Sequence, residues 1–169
     1  MAKEKKTFED IINGWATVIS GTALTSMILV ISLNVAGRYF FKKSFYWAEE
    51  VSYLMFNWAV FLGVTIVYRY QGLTAIDIFV NRLPSKGKRA IMSLTYLLIF
   101  VINICLIIWG STFAMNAWVR TSPNLGIPYF YYDIPIPIAG ALLAGYSLKF
   151  LIKTIKGEEM EEAALEKRS

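Results

Sequence analysis

Four long stretches without a charged residue divide this chain of 169 residues. They contain 27, 18, 30 and 15 residues and run over 11–37, 51–68, 90–119 and 134–148. A helix rises about 1.5 Å per residue, so about 20 apolar residues cross the hydrocarbon core of a bilayer. The shortest stretch is extended by Lys149 and Lys153, whose long side chains can reach the interface. The pattern predicts an all-α integral membrane protein with four transmembrane helices, at about 11–37, 49–69, 90–119 and 134–155.

The beginning of the chain also has one feature of a secretory signal peptide. Its lysines at 3, 5 and 6 precede an apolar run, but the apolar core of a signal peptide has only about 7–15 residues. The run of 27 residues is nearly twice that length. We therefore expect it to remain as an uncleaved membrane anchor.

The placement of lysine and arginine predicts the orientation of the spans. With four spans both termini lie on one side, and that side collects 13 of the 17 basic residues. The other side holds four: Arg38, Lys42, Lys43 and Arg120. Because cytoplasmic loops carry the excess of basic residues, both termini are expected in the cytoplasm. We interpret the formal net charge of +5 as part of this topology signal. It gives no reason to expect a nucleic-acid partner.

Composition narrows the possible chemistry. Charged residues make up 17% of the chain, against about 25% in a typical soluble domain. The single cysteine, Cys105, lies in the third span and cannot form an internal disulfide. The absence of histidine removes the usual ligand for a b-type haem and the commonest ligand for zinc. We expect no cofactor or metal site in this chain.

Two segments outside the spans have distinct patterns. Residues 72–83 place Leu73, Ile76 and Leu83 at helical spacing with polar residues between them, which predicts a short amphipathic helix along the inner interface. Residues 157–169 form a charged cytoplasmic tail. Residues 1–156 are otherwise predicted to form one four-span membrane domain, with no separate soluble domain.

Charged and aromatic residues meet where the first two spans are joined. Arg38 ends the first span, and Glu49 and Glu50 begin the second, with Trp47 at the level of the headgroups. If the two spans form a hairpin, these charges come close together. Two interpretations are possible: Arg38 forms an ion pair with one of the glutamates, or the charges are solvated separately.

The spans themselves lack the residues that solute transport requires. Transporters that couple their own transport bury ionisable residues at mid-membrane, and these spans contain only asparagine, serine and threonine there. The asparagines are predicted to bond a neighbouring helix; they are Asn34, Asn57, Asn103 and Asn116. The prolines that could break a helix lie only near the outer rim: Pro123, Pro128, Pro135 and Pro137, besides the inner Pro84. We therefore expect neither a transport pathway nor catalysis within this chain.

Several short motifs, taken in order, resemble the small membrane subunit of TRAP transporters, the tripartite ATP-independent periplasmic transporters. The first is Asn34-Val35-Ala36-Gly37-Arg38-Tyr39, followed by Trp47-Ala48-Glu49-Glu50. The others include Asn57, Trp58 and Gly63 in the second span, Pro123 to Pro128, and Pro135 with Pro137. The similarity covers about residues 8–156. No residue here corresponds to a substrate ligand.

The resemblance implies a non-catalytic subunit of a sodium-coupled system in the bacterial inner membrane. In that family a large permease subunit carries the solute and sodium sites and moves as an elevator, while a periplasmic binding protein delivers the solute. The small subunit extends the static scaffold. The expected partners are therefore the large permease subunit, the binding protein and phospholipids, and the expected solute is an organic acid of the dicarboxylate or sialic acid class. We expect the loop at 121–132 to contact the binding protein.

Other functions for a four-span protein remain to be weighed. A self-contained exporter of the four-helix multidrug type needs a carboxylate in its first span, and residues 11–37 contain none. The chain could also be an anchor subunit of a respiratory enzyme. The absence of histidine argues against haem binding in such a subunit, but it does not exclude quinone binding. An assembly or anchor subunit of another membrane complex fits the spans equally well.

Overall fold

Four long helices make up the described part of the chain. The structure, a computed structural model, describes residues 8–71 and 85–156. The helices are α1 (Phe8–Phe41), α2 (Tyr46–Gln71), α3 (Ser85–Asn116), a one-turn helix α4 (Phe130–Asp133), and α5 (Pro135–Lys156). The four long helices are long and apolar enough to cross a membrane. The prediction of an all-α membrane protein with four crossing helices is confirmed, while the predicted interfacial helix at 72–83 and the tail at 157–169 lie outside the described residues.

The long helices pack in an open row. α1 packs against α2, α2 also packs against α5, and α5 also packs against α3. Within the described residues the two outer helices, α1 and α3, do not form a packed pair, so the row does not close into a bundle. The inner helix α5 is the most buried of the four and α1 the least. Most of the surface of α1 and α3 is therefore left to lipid or to another protein.

Each end of the row has its own connections. We call the end with residues 42–45 and 117–133 the rim, and the opposite end, where α1 begins and α5 ends, the base. At the rim α1 ends with Lys42 in the left-handed region (φ 51°), which stops the helix and turns the chain into α2. Also at the rim, α3 is followed by the 3-10 turn Ala117–Val119. The chain thus reverses its direction at the rim twice, so α1 and α2 are antiparallel, as are α3 and α5. α2 and α5 both run from the rim to the base and are parallel.

Small residues allow the helices to approach closely. The Ser20 hydroxyl of α1 donates to the Ala59 carbonyl of α2 at 3.2 Å, and a Cβ at Gly63 would lie 3.5 Å from the same hydroxyl. Between α3 and α5, a Cβ at Gly140 would lie 3.4 Å from the Asn103 carbonyl oxygen. Close backbone approach of this kind is typical of helix pairs in membranes.

Gly14, Thr17, Gly21 and Thr25 form a line of small residues on α1, and within the described residues this line does not pack against another helix. A Cβ added at Gly14 or at Gly21 would meet no atom within 4 Å. The hydroxyls of Thr17 and Thr25 donate to carbonyl groups of α1 itself. This face of α1 is therefore open in the described part of the chain.

The base is held by polar and aromatic contacts between α1, α2, α3 and α5. Arg69 of α2 forms an ion pair with Asp10 of α1. The hydroxyls of Tyr68 and Ser147 lie 3.0 Å apart and join α2 to α5. Tyr96 of α3 stacks on Phe150 of α5 with 5.6 Å between ring centroids. These contacts fix the base of the row from α1 to α3.

A candidate functional site at the rim

The segment between α3 and α4 folds into a compact turn at the rim. The Ser122 N–H donates to the Ile127 carbonyl at 2.9 Å, and the Gly126 N–H donates to the Ser122 carbonyl at 3.0 Å. Thr121 and Pro128 form an isolated antiparallel bridge below these bonds. Gly126 has a φ of 67°, a conformation that glycine adopts without the steric cost of a side chain. We call residues 121–128 the rim turn.

Glu50 of α2 binds the tip of the rim turn. Its carboxylate accepts the backbone N–H of Asn124 at 3.0 Å, the side-chain amide of Asn124 at 2.6 Å and the backbone N–H of Leu125 at 2.9 Å. A carboxylate that accepts several N–H groups forms stronger hydrogen bonds than a neutral acceptor. Glu50 therefore ties the tip of the rim turn to the first turns of α2.

Two further residues of α2 bind the chain just after the rim turn. The Asn57 side-chain amide donates to the Tyr132 carbonyl at 3.0 Å, and the Trp58 indole N–H donates to the Tyr131 carbonyl at 3.1 Å. In a continuous helix the Tyr131 carbonyl would accept the N–H of residue 135, but that residue is proline and has none. Trp58 supplies the missing donor. In a membrane such replacement matters because lipid offers no donor.

Aromatic side chains fill the space between these hydrogen bonds. Tyr132 is 1% exposed, stacks on Tyr53 of α2 at 5.8 Å and lies 5.2 Å from the ring of Tyr129. On the other side of α4, Trp118 meets Phe130 edge to face at 5.0 Å. The rim turn and α4 are therefore packed against α2 on one side and against the 3-10 turn that follows α3 on the other.

Asn34 organises the second rim connection, between α1 and α2. Its side-chain oxygen accepts the Phe45 N–H at 2.9 Å. The Phe45 ring covers Gly37 so closely that a Cβ at Gly37 would lie 2.7 Å from a ring carbon. Trp47 contacts the same ring, with 6.1 Å between centroids. This corner explains why an asparagine and a glycine stand three residues apart at the end of α1.

The ion pair considered for Arg38 is wrong. Within the described residues Arg38 forms no ion pair with Glu49 or Glu50. Glu50 instead points at the rim turn, where backbone and side-chain N–H groups of Asn124 and Leu125 converge on it. Arg38 and Glu49 are both exposed, which agrees with the alternative of separately solvated charges.

The remaining predicted residues take separate places. Gly63 lies at the crossing of α1 and α2, far along α2 from the rim. Pro123 is exposed in the rim turn, and Pro128 is half-buried below it. Pro135 begins α5 and Pro137 follows in its first turn, as the sequence predicts, and both are buried.

The asparagines behave in three ways. Asn57 bonds a neighbouring segment, as predicted, while Asn34 bonds the loop that follows its own helix. Asn103 donates to the Ile99 carbonyl of its own helix at 2.8 Å, so the prediction of a bond to a neighbouring helix is wrong there. Asn116 is exposed at the end of α3. Within residues 8–71 and 85–156, no three side chains of the usual metal-binding types converge as a metal site would require.

The chain matches a known protein family over a range that includes both rim connections. Residues 27–157 match the family model described as tripartite ATP-independent periplasmic transporters, DctQ component. The chain belongs to this TRAP transporter family. It is thus a multi-pass membrane protein of the TRAP small permease type, as the motifs of the rim indicated.

Individual TRAP relatives are similar over most of the chain. A putative TRAP transporter small permease protein of Haemophilus influenzae is 28% identical over 85% of this chain and 89% of its own length. The sialic acid TRAP transporter small permease protein of Vibrio cholerae is 20% identical over 90% of this chain and 88% of its own length. These relatives are transporter subunits.

A third relative is much longer than this chain. The sialic acid TRAP transporter permease protein of Haemophilus influenzae is 26% identical over 59% of this chain, but the match covers only 16% of that protein. A segment similar to this TRAP small permease is therefore one part of a larger permease polypeptide there.

Proposed function

We propose that this chain is the non-catalytic small subunit of a sodium-coupled TRAP transporter, in which it extends the static scaffold beside the large permease subunit. The observation that carries the proposal is the family match over residues 27–157, which includes three of the four crossing helices whole and the part of α1 from residue 27 to residue 41. The long relative supports the same partnership, because a segment similar to this chain is joined there to a much larger permease.

The open row of helices supports a scaffold role. A closed bundle would need no partner, whereas this row leaves the outer faces of α1 and α3 uncovered within the described residues. The charge-free spans also lack the mid-membrane ionisable groups that bind solutes and coupling ions. Sodium and solute sites are therefore assigned to the large subunit, and this chain is assigned no cofactor of its own.

The rim turn supports a further role in docking the periplasmic solute-binding protein. A docking surface works best when it is ordered before the partner arrives, because binding then costs less conformational entropy. Glu50, Asn57 and Trp58 hold the rim turn and α4 by hydrogen bonds to their backbone. We place the rim on the periplasmic side of the bacterial inner membrane and both termini in the cytoplasm, following the 13 to 4 distribution of basic residues.

The solute belongs to the partners rather than to this chain. We propose an organic acid of the dicarboxylate or sialic acid class; two relatives are named for sialic acid and another is named for C4-dicarboxylates.

Reconstitution tests the proposal. The tagged chain is expressed with the large TRAP permease of its genome, and we expect the two to co-purify. Proteoliposomes that contain both, the cognate binding protein and an inward sodium gradient should take up labelled succinate or labelled N-acetylneuraminic acid. Vesicles without this chain should not.

Two results would overturn the proposal. The scaffold role fails if the large subunit purifies alone and transports at the same rate without this chain. The sodium coupling fails if uptake is the same when the sodium gradient is replaced by a potassium gradient.

A further inference from the structure

A groove runs along one side of the contact between α1 and α2, next to the rim. It is an open groove with a volume of about 500 Å³. Its lining residues come from both helices: Met27, Ile31, Asn34, Ala48, Glu49, Ser52, Tyr53 and Phe56. The α2 part covers nine residues, or about 12 Å along the helix axis. That depth is close to one leaflet of a hydrocarbon core about 30 Å thick, which is too shallow for a crossing helix.

The lining changes from charged to apolar along the groove. Glu49 lies at the rim, Asn34 and Ser52 come next, and Ile31, Met27 and Phe56 form the deep part. The Asn34 side-chain oxygen is occupied by the Phe45 N–H, which leaves its amide N–H groups available. The order of charged, polar and apolar contacts is the order of headgroup, ester and acyl chain in a phospholipid.

One residue of the lining is charged, and a residue of opposite charge lies one helical turn beyond the lining. Arg38 lies one helical turn beyond Asn34, so it shares the face of α1 that lines the groove. Glu49 stands on the α2 side. Both side chains are exposed, and neither forms an ion pair in the part of the chain that the structure describes. A zwitterionic headgroup would meet a partner for each of its charges here.

We propose that this groove binds one phosphatidylethanolamine molecule, with its phosphate at Arg38, its ammonium at Glu49 and one acyl chain along Met27 and Phe56. Guanidinium groups bind phosphate oxygens in a bidentate manner, and a primary ammonium donates hydrogen bonds to a carboxylate. The lipid covers apolar surface between α1 and α2 that the row leaves open. The assignment does not depend on transport activity.

Two other grooves on the same helices lack this combination. One is lined by apolar and small residues of α2 from Ala59 to Tyr68 and carries no charge. The other lies between α1 and α2 around Met55 and Trp58, and its lining also carries no charge. Of these three grooves, only the groove at Glu49 combines an apolar floor with a charged residue in its lining. The groove at Met55 therefore provides a matched control.

The experiment is native mass spectrometry of the purified full chain, with its large subunit if the two co-purify. After delipidation the protein is titrated with phosphatidylethanolamine, phosphatidylcholine or phosphatidylglycerol of identical acyl chains. We expect one phosphatidylethanolamine molecule to bind more tightly than the other two lipids, which lack a primary ammonium. Met27→Trp, which fills the groove, should abolish this binding, and Met55→Trp should not. Glu49→Gln and Arg38→Gln should each weaken it about two- to fivefold, the effect of one exposed ion pair.

Several outcomes would overturn the assignment. Equal binding of the three lipids would show that the headgroup is not recognised. Unchanged binding in Met27→Trp would show that the lipid does not bind in this groove. If Met27→Trp instead abolishes co-purification with the large subunit while lipid binding persists, the groove is a protein interface. Glu49→Gln and Arg38→Gln alter exposed side chains, so they decide the question even if the tryptophan variant does not fold.

Discussion

The indole nitrogen of Trp58 lies 3.1 Å from the carbonyl oxygen of Tyr131, where it replaces a hydrogen bond that Pro135 cannot donate. The proline that begins α5 frees a carbonyl one turn earlier, and α2 supplies the donor across the helix contact. The contact between α2 and α4 is therefore specified by a backbone group as well as by packing.

Removal of the indole N–H should destabilise the chain, and a change at Pro135 should relieve the effect. We expect Trp58→Phe to lower the free energy of unfolding by about 0.6–1.7 kcal/mol, the range of hydrogen bonds between membrane helices. In a Pro135→Ala background the loss should be smaller, because the introduced alanine donates its own backbone N–H to the Tyr131 carbonyl. The measurement is unfolding in mixed micelles titrated with SDS, followed by circular dichroism.

The control for this cycle is Trp109→Phe. Trp109 is 72% exposed on α3, so its replacement should leave the unfolding free energy nearly unchanged in the absence of a partner protein. If Trp58→Phe costs the same with proline or with alanine at position 135, the indole does not substitute for the missing backbone donor.

The helices could be predicted from the sequence because the membrane imposes a simple requirement. A charge-free stretch of sufficient length must form a helix to satisfy its own backbone. The observed helices extend past those stretches, since α1 includes Asp10 and Arg38 at its two ends. Charged residues are tolerated there because the helix ends reach the aqueous interface.

The partners of Glu50 could not be predicted in the same way. The sequence pattern suggested Arg38 as a partner, but the observed partners lie 74 and 75 residues away and are mostly backbone N–H groups. Backbone donors leave no signal in residue type. The Trp58 contact did have a signal, because a proline at 135 requires another donor for the carbonyl at 131.

The rim turn should loosen when Glu50 loses its charge. In Glu50→Gln the new amide group places an NH₂ against N–H donors, so the bonds to Asn124 and Leu125 cannot all form. We expect faster hydrogen–deuterium exchange of the peptide that contains residues 122–127, with unchanged exchange in the middle of α2. If Glu50 supports the docking surface, transport driven by the binding protein should fall as well.

Glu49→Gln is the matched control for this change. Glu49 is the neighbouring residue and has the same charge, but it is exposed, and the described hydrogen bonds to Asn124 and Leu125 come from Glu50 instead. It should leave exchange at residues 122–127 as it is in the unaltered protein. Equal acceleration in both variants would show that net charge at the rim, rather than the bonds of Glu50, controls the order of the turn.

The contact between α3 and α5 should not tolerate a larger residue at Gly140. A Cβ added at this position would lie 3.3 Å from the Ile107 side chain and 3.4 Å from the Asn103 carbonyl oxygen. That oxygen belongs to a helix backbone, which cannot move aside easily. We expect Gly140→Val to lower the unfolding free energy by about 1–3 kcal/mol. Gly145→Val on the same helix, where no atom lies within 4 Å of a Cβ, should change it much less. Equal costs would place the effect in helix propensity instead of packing.

The orientation of the row can be tested with two exposed lysines at opposite ends. In a Cys105→Ser background, Lys43→Cys at the rim and Lys156→Cys at the base each provide a single thiol. Because the sequence pattern predicts 13 of the 17 basic residues on the side of the termini, we expect the rim to face the periplasm. A membrane-impermeant maleimide added to spheroplasts should then label the thiol at 43 at once and the thiol at 156 only after lysis. Labelling in the reverse order would invert the topology and would place the rim turn beyond the reach of a periplasmic binding protein.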